Sequence, residues 1–259
     1  MSRTILSDLI DMSVTLNGVL VPIRSVESAL ARYVDNLVVW NDDPTFKVSL
    51  SGSMTLVHYQ GRCLALCCQH QFEGHHEPER VSILDRDGHM CTSSGGMRGM
   101  THTNDTDYTQ LVAFDFTEPC AANPSLKARF FNLRKFPADV PSSDVIFIVA
   151  AGFPSEDQAP GYRLAEANAI EVVKRILVCR LGSRNDQSAD DALLTIRPLQ
   201  VLNFDPEGMS GGSAFFVLME DGEPVAYLGG VIVRGGKDAL HVIKIGYIQR
   251  FLDQIIAEP

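Results

Sequence analysis

From about residue 46 onward the chain is a succession of short apolar runs cut by Gly, Asp, Asn and Pro. This rhythm limits the fold more than any other feature. Apolar runs of roughly four to eight residues, bounded by turn residues, read as strands. Those expected are Val48–Leu50, Met54–Tyr59, Cys63–Cys68, Val81–Asp85, Gln110–Phe116, Val145–Ala150, Leu193–Pro198, Ala214–Met219, Ala226–Arg234 and Leu240–Lys244. Gln60-Gly61 and Glu220-Asp221-Gly222-Glu223 supply tight hairpin turns between neighbouring runs. Many short strands at this spacing point to an all-β sandwich or barrels and away from a parallel α/β sheet.

Three stretches break the rhythm. Leu164–Val173 is rich in Ala and Glu and follows Pro160-Gly161, so a helix is expected there. The tail Ile245–Ala257 sets Ile248, Phe251, Leu252, Ile255 and Ile256 on one helical face. Near the start, Val19–Ile23 reads as a short strand and Val26–Asn36 as a helix, with Ser25 as its cap and Glu27 in its first turn.

With 259 residues, 45% of them hydrophobic, the chain can bury a sizeable core without metal or disulfide staples. Its net charge of −10, with no run of Lys or Arg, argues against nucleic acid or an anionic membrane as partner. Asp8 and Asp11 interrupt the N-terminal apolar positions, so no secretory signal is read. No apolar run approaches the ~20 residues needed to span a bilayer. A cytoplasmic location is expected. The six cysteines have no Cys-x-x-Cys pairing and sit mostly in apolar runs, as buried thiols of a reducing compartment do.

The sharpest local signal is Gly208-Met209-Ser210-Gly211-Gly212. A serine hydroxyl becomes a nucleophile when a base takes its proton and fixed N–H groups hold the oxyanion. Glycine at 208 lets the N–H groups of Gly208 and Ser210 face one point. A Gly-rich turn between strands would look the same. A second signal is Leu64-Ala65-Leu66-Cys67-Cys68-Gln69-His70, a strand that delivers an imidazole at its end. A third is Asp107 at the start of an apolar strand, placed to orient such an imidazole. Asp105 and Asp115 compete for that role. His75-His76 invites a metal reading, but Glu77 and Glu79 beside them fit a solvated loop and no zinc-ligand spacing is present; neither a metal nor a cofactor is expected. Cys67 or Cys68 as a thiol nucleophile is a further alternative, opposed by direct adjacency to the His70 segment.

Order and context of these segments resemble the trypsin-like serine peptidases, particularly their short intracellular bacterial members. His70, Asp107 and Ser210 follow the family's His, Asp, Ser order. Gly52-Ser53-Met54-Thr55-Leu56-Val57 resembles the strand leading into the histidine hairpin. Val149-Ala150-Ala151-Gly152-Phe153-Pro154 is similar to the strand opening the second barrel, and Leu228-Gly229-Gly230-Val231-Ile232-Val233 to the strand bordering the cleft.

The resemblance implies an all-β chain of two six-stranded-type antiparallel β-barrels, with an N-terminal helical extension and a C-terminal helix. The resemblance spans residues 48–255; residues 1–45, outside it, would form the extension, 46–140 the first barrel with His and Asp, and 141–259 the second barrel with Ser and the helix. It also implies a serine endopeptidase. His70 would be general base, Asp107 its orienting partner, Ser210 the nucleophile, and Gly208 and Ser210 the oxyanion donors. Gly229, Ile232 and Arg234 would line the substrate cleft, and Phe204 would lie near its floor.

Several residues depart from the family pattern. Cys68-Gln69 replaces the usual Thr-Ala or Ala-Ala before the histidine, and Ser213 replaces a proline. Met209 stands where an acid serves zymogen activation, so that route is not expected. Ile232 stands where many members have a serine, and Arg234 where a glycine would be. These departures keep open a catalytically weak or latent form that binds a peptide or protein partner. The expected partners are therefore a peptide or protein substrate, with a protein regulator as the alternative.

Overall fold

The computed structural model describes residues 13–40, 48–72, 80–84, 91–93, 95–99, 110–134, 144–155 and 173–257. The chain begins with a hairpin, β1 (Ser13–Leu16) and β2 (Val19–Pro22), then a helix α1 (Val26–Ala31). The first barrel sheet contains β3 (Val34–Trp40), β4 (Val48–Tyr59), β5 (Arg62–Cys68), β6 (Val81–Leu84), β7 (Cys91–Ser93), β8 (Gly96–Gly99) and β9 (Leu111–Asp115). Its order is β7-β6-β3-β4-β5-β9-β8, and β10 (Phe131–Asn132) lies parallel to β4. Two short helices, α2 (Thr117–Ala122) and α3 (Pro124–Lys127), follow β9. This sheet curls without closing among the described residues.

The second sheet contains β11 (Val145–Gly152), β12 (Arg175–Leu181), β13 (Leu193–Pro198), β14 (Ser213–Glu220), β15 (Glu223–Gly236) and β16 (Ala239–Lys244). Its order is β14-β11-β12-β13-β16-β15, and β15 pairs back onto β14, so six strands close into a barrel. The C-terminal helix α4 (Ile245–Ala257) follows β16 directly.

Strand alternation divides the core in three. In β5, Cys63, Ala65 and Cys67 point into the first barrel, whereas Leu64, Leu66 and Cys68 point toward the second. In β14, Ala214, Phe216 and Leu218 fill the second barrel, while Phe215 and Val217 face the first. The facing residues join Ile248, Phe251, Leu252 and Ile255 of α4 in one cluster between the barrels. Strands buried on both sides have unbroken apolar runs, which is why these segments were legible as strands.

Two-residue turns close the hairpins. Asn17-Gly18, Gln60-Gly61 and Asp221-Gly222 all have positive φ at both positions, the conformation that matches strand twist.

The N-terminal residues differ from their expected arrangement. The sequence reading has an N-terminal extension over residues 1–45, with a helix over Val26–Asn36. Instead α1 ends at Ala31, and β3 lies between β4 and β6 inside the first sheet. The β1–β2 hairpin adds to the second sheet through the parallel pairing Thr15↔Val225. Of the helix expected over Leu164–Val173, residues 164–172 lie outside the described residues, and Val173 is described as non-helical. Among the described residues no helix is long and apolar enough to cross a membrane.

Candidate active site

Ser210 lies in the loop that enters β14, at the seam between the barrels. Gly208 has φ +87°, and a Cβ there would lie 2.5 Å from Ser155 Oγ and 2.7 Å from the Phe153 carbonyl. Gly211 has φ +82°, and its Cβ would lie 2.0 Å from the Ser53 carbonyl oxygen. Both positions therefore require glycine on two counts, backbone conformation and space.

The loop's peptide groups are held one by one. Met209 N–H donates to the Pro206 carbonyl at 2.9 Å, Gly212 N–H to Met209 at 2.9 Å, and Gly211 N–H to Ile232 at 2.8 Å. Ser155 N–H reaches the Glu207 carbonyl at 2.6 Å. The N–H groups of Gly208 and Ser210 have no acceptor among the described residues. They are the pair expected as oxyanion donors.

The Ser210 hydroxyl donates to the Val233 carbonyl at 2.9 Å. Val233 lies where the β15–β16 pairing slips between Ile232 and Arg234. His70 sits two residues past the end of β5, in the 3-10 turn Gln69–Phe72, and is exposed. His70 and Ser210 line one cleft of about 840 Å³, yet no hydrogen bond joins them.

Gln71 anchors the histidine turn. Its Oε1 accepts from Cys68 N–H at 2.7 Å, and its Nε2 donates to the carbonyls of Ser51 and Ser53 at 2.9 and 3.1 Å. The bulky Gln69 is exposed and takes no part in these bonds. Cys67 and Cys68 are fully buried on opposite faces of β5. Burial, reinforced by neighbouring Cys68, pushes the Cys67 thiol well above its ordinary range. That is the reverse of an activated nucleophile.

Asp107 and Asp105 lie outside the described residues, as do His75 and His76. Asp115 pairs in register with Leu64, at the far end of β5 from His70. Its carboxylate accepts from Arg62 at 3.0 Å and from Thr117 N–H at 2.8 Å. It is therefore committed to another site.

Ile232 and Arg234 line the cleft, Ile232 buried and Arg234 exposed. Gly229 is not among the lining residues; it packs on the Phe216 ring, which a Cβ would meet at 2.7 Å. Phe204 also lies outside the lining, buried in the second barrel with the Arg175 guanidinium 5.3 Å from its ring centre. Asp205 and Glu207 line the wall instead, both exposed.

Sequence reasoning missed the residues that hold the loop from across the seam. Ser53 Oγ donates to the Gly208 carbonyl, and Thr55 Oγ1 to the Gly211 carbonyl, each at 2.8 Å. Both side chains are fully buried on β4. Their one sequence signal is that they continue the alternating polar positions Ser49 and Ser51 along β4.

No family model matches the chain, and no curated protein matches it in sequence. Among 328 solved chains that match in structure is human heparin binding protein. It superposes with a TM-score of 0.54 over 88% of this chain and 93% of its own, at 11% identity. The chain has the two-barrel, trypsin-like fold.

Proposed function

We propose that this chain is a serine endopeptidase working through an acyl-enzyme. Ser210 attacks the scissile carbonyl, His70 takes the hydroxyl proton and later gives it to the leaving amine, and Asp107 orients the imidazole. The tetrahedral oxyanion is held by the N–H groups of Gly208 and Ser210. The observation that carries the reading is this pair of N–H groups beside the serine, without an acceptor among the described residues while their neighbours are all bonded. Donors fixed before the reaction stabilise developing charge without reorganising, and each contributes about 10²–10³ in rate. The cleft shared by His70 and Ser210 supports an extended peptide as substrate. A cytoplasmic location belongs to the same reading.

In such a mechanism the serine hydroxyl must leave the Val233 carbonyl and turn to His70. A fluorophosphonate probe is expected to label the wild type and to leave Ser210→Ala unlabelled. Absence of labelling under all conditions would remove the peptidase reading.

A second reading is favoured by one observation, the Ser210 hydroxyl already bonded to Val233. Here the cleft binds a peptide or a protein partner without turnover. Peptide binding that survives Ser210→Ala, with no acyl-enzyme by mass spectrometry, would identify it.

A further inference from the structure

We infer that Ser53 is a positioning residue for the oxyanion donors, an assignment that rests on the acyl-transfer reading of the site. Its hydroxyl makes two bonds in opposite senses. It donates to the Gly208 carbonyl at 2.8 Å and accepts from Phe153 N–H at 2.8 Å. Its own N–H donates to the Ser210 carbonyl at 3.1 Å. One buried residue of β4 thus ties the nucleophile loop to the end of β11, across the seam between the barrels.

Position 208 needs such a brace. Glycine has no Cβ and crosses φ space cheaply, so the peptides on either side of Gly208 can rotate. Rotation of the 207–208 peptide would carry the Gly208 N–H away from the serine. Ser155 N–H on the Glu207 carbonyl holds that peptide directly, and Ser53 Oγ on the Gly208 carbonyl holds the next one, so Gly208 is fixed on both sides. Space around Ser53 is equally closed. A Cβ on Gly152 would lie 3.0 Å from Ser53 Oγ, and one on Gly52 would lie 2.8 Å from the Gly208 carbonyl oxygen. The small residues Gly52 and Gly152 let Ser53 come close enough to bond the loop.

The brace acts on the donors and not on the cleft walls, since Ser53 is not among the cleft-lining residues. It should therefore matter most when negative charge appears on the substrate oxygen. The test compares wild type with Ser53→Ala. A peptide boronic acid, whose tetrahedral adduct places an oxygen at the donors, probes the oxyanion site. The matching peptide acid probes ground-state binding.

The alanine variant is expected to lose about tenfold in boronate affinity and in kcat, less than the loss of a direct donor. KM and the affinity for the acid should be unchanged. Equal losses for both ligands, or no loss for either, would overturn the assignment. Ser53→Cys, which keeps a similar volume with a weaker donor, should show the same split to a smaller degree and stands in if the alanine variant does not fold.

A wild type that binds no boronate overturns the acyl-transfer reading and leaves the brace to a separate measurement. Amide hydrogen exchange at Met209, whose peptide carries the Gly208 carbonyl, should be about tenfold faster in Ser53→Ala. Unchanged protection there would overturn the brace itself.

Discussion

Gly211 and Gly61 share a backbone conformation, with φ +82° and +86°, and differ in everything around it. Gly61 sits in an open hairpin turn, where a Cβ would meet nothing within 4 Å. Gly61→Ala should therefore cost only the left-handed backbone penalty, about 1–2 kcal/mol. At Gly211 the added carbon would stand 2.0 Å from the Ser53 carbonyl oxygen, so backbone must move as well. Urea denaturation is expected to show a larger loss for Gly211→Ala, about 3 kcal/mol or more. Equal losses at the two positions would show that the contact is unimportant. That the run around Ser210 needs glycines was legible from the sequence. Why Gly211 in particular tolerates nothing else was not, because the oxygen in its way comes from a strand far off in the chain.

Among the elements, α4 was legible to its ends and β3 was not. Helix α4 carries its own instruction, since Ile248, Phe251, Leu252 and Ile255 repeat at helical spacing and all four are buried. For β3 the residues Leu30, Val34 and Leu37 repeat at helical spacing too, and local pattern favoured a helix through Asn36. Pairing decides otherwise. Residues 34–39 are buried along their whole length between β4 and β6, and the charge this brings inside, Asp35, is met by Arg129.

The junction of α1 with β3 also holds Lys174. Its Nζ donates to the carbonyls of Ala31 and Val34 at 2.7 and 2.6 Å and lies 5.0 Å over the Phe153 ring. Burial, and then the positive charge of Arg129, lower its pKa from 10.5 to about 8. Below pH 8 both folded and unfolded states carry the proton, and the folded state bears the full cost of the buried charge. As pH rises from 8 toward 10.5 the folded state releases the proton first, so the cost is relieved. Replacing Lys174 with Met removes this dependence. The stability of the variant relative to wild type should thus be greatest near pH 7 and fall by up to roughly 3 kcal/mol by pH 10.5. A pH-independent difference in denaturation midpoints would contradict this.

At the scale of the whole molecule, residues 13–40 bind the barrels together. The β1–β2 hairpin extends the second sheet, α1 packs on β11 and β12, and β3 is an interior strand of the first. Val14, Leu16, Val26, Leu30 and Val34 belong to the core between the barrels. Deleting residues 1–40 should consequently unfold the protein, read as lost cooperativity in thermal denaturation. A soluble truncation with native circular dichroism would return these residues to the status of an extension.

The sequence by itself determined the all-β class, most strand positions, the terminal helix and the turn, loop and strand that bring His70, Ser210, Ile232 and Arg234 to one cleft. Each of these is written in local periodicity, turn residues and chain order, which a strand or hairpin senses without its distant neighbours. Tertiary structure alone decided that the N-terminal residues join both sheets and that Ser210 rests on Val233. It also decided that Ser53, Thr55 and Gln71 hold the site. Those outcomes depend on which carbonyl faces which donor across the seam, and a buried polar group finds that partner only when the two barrels close on one another.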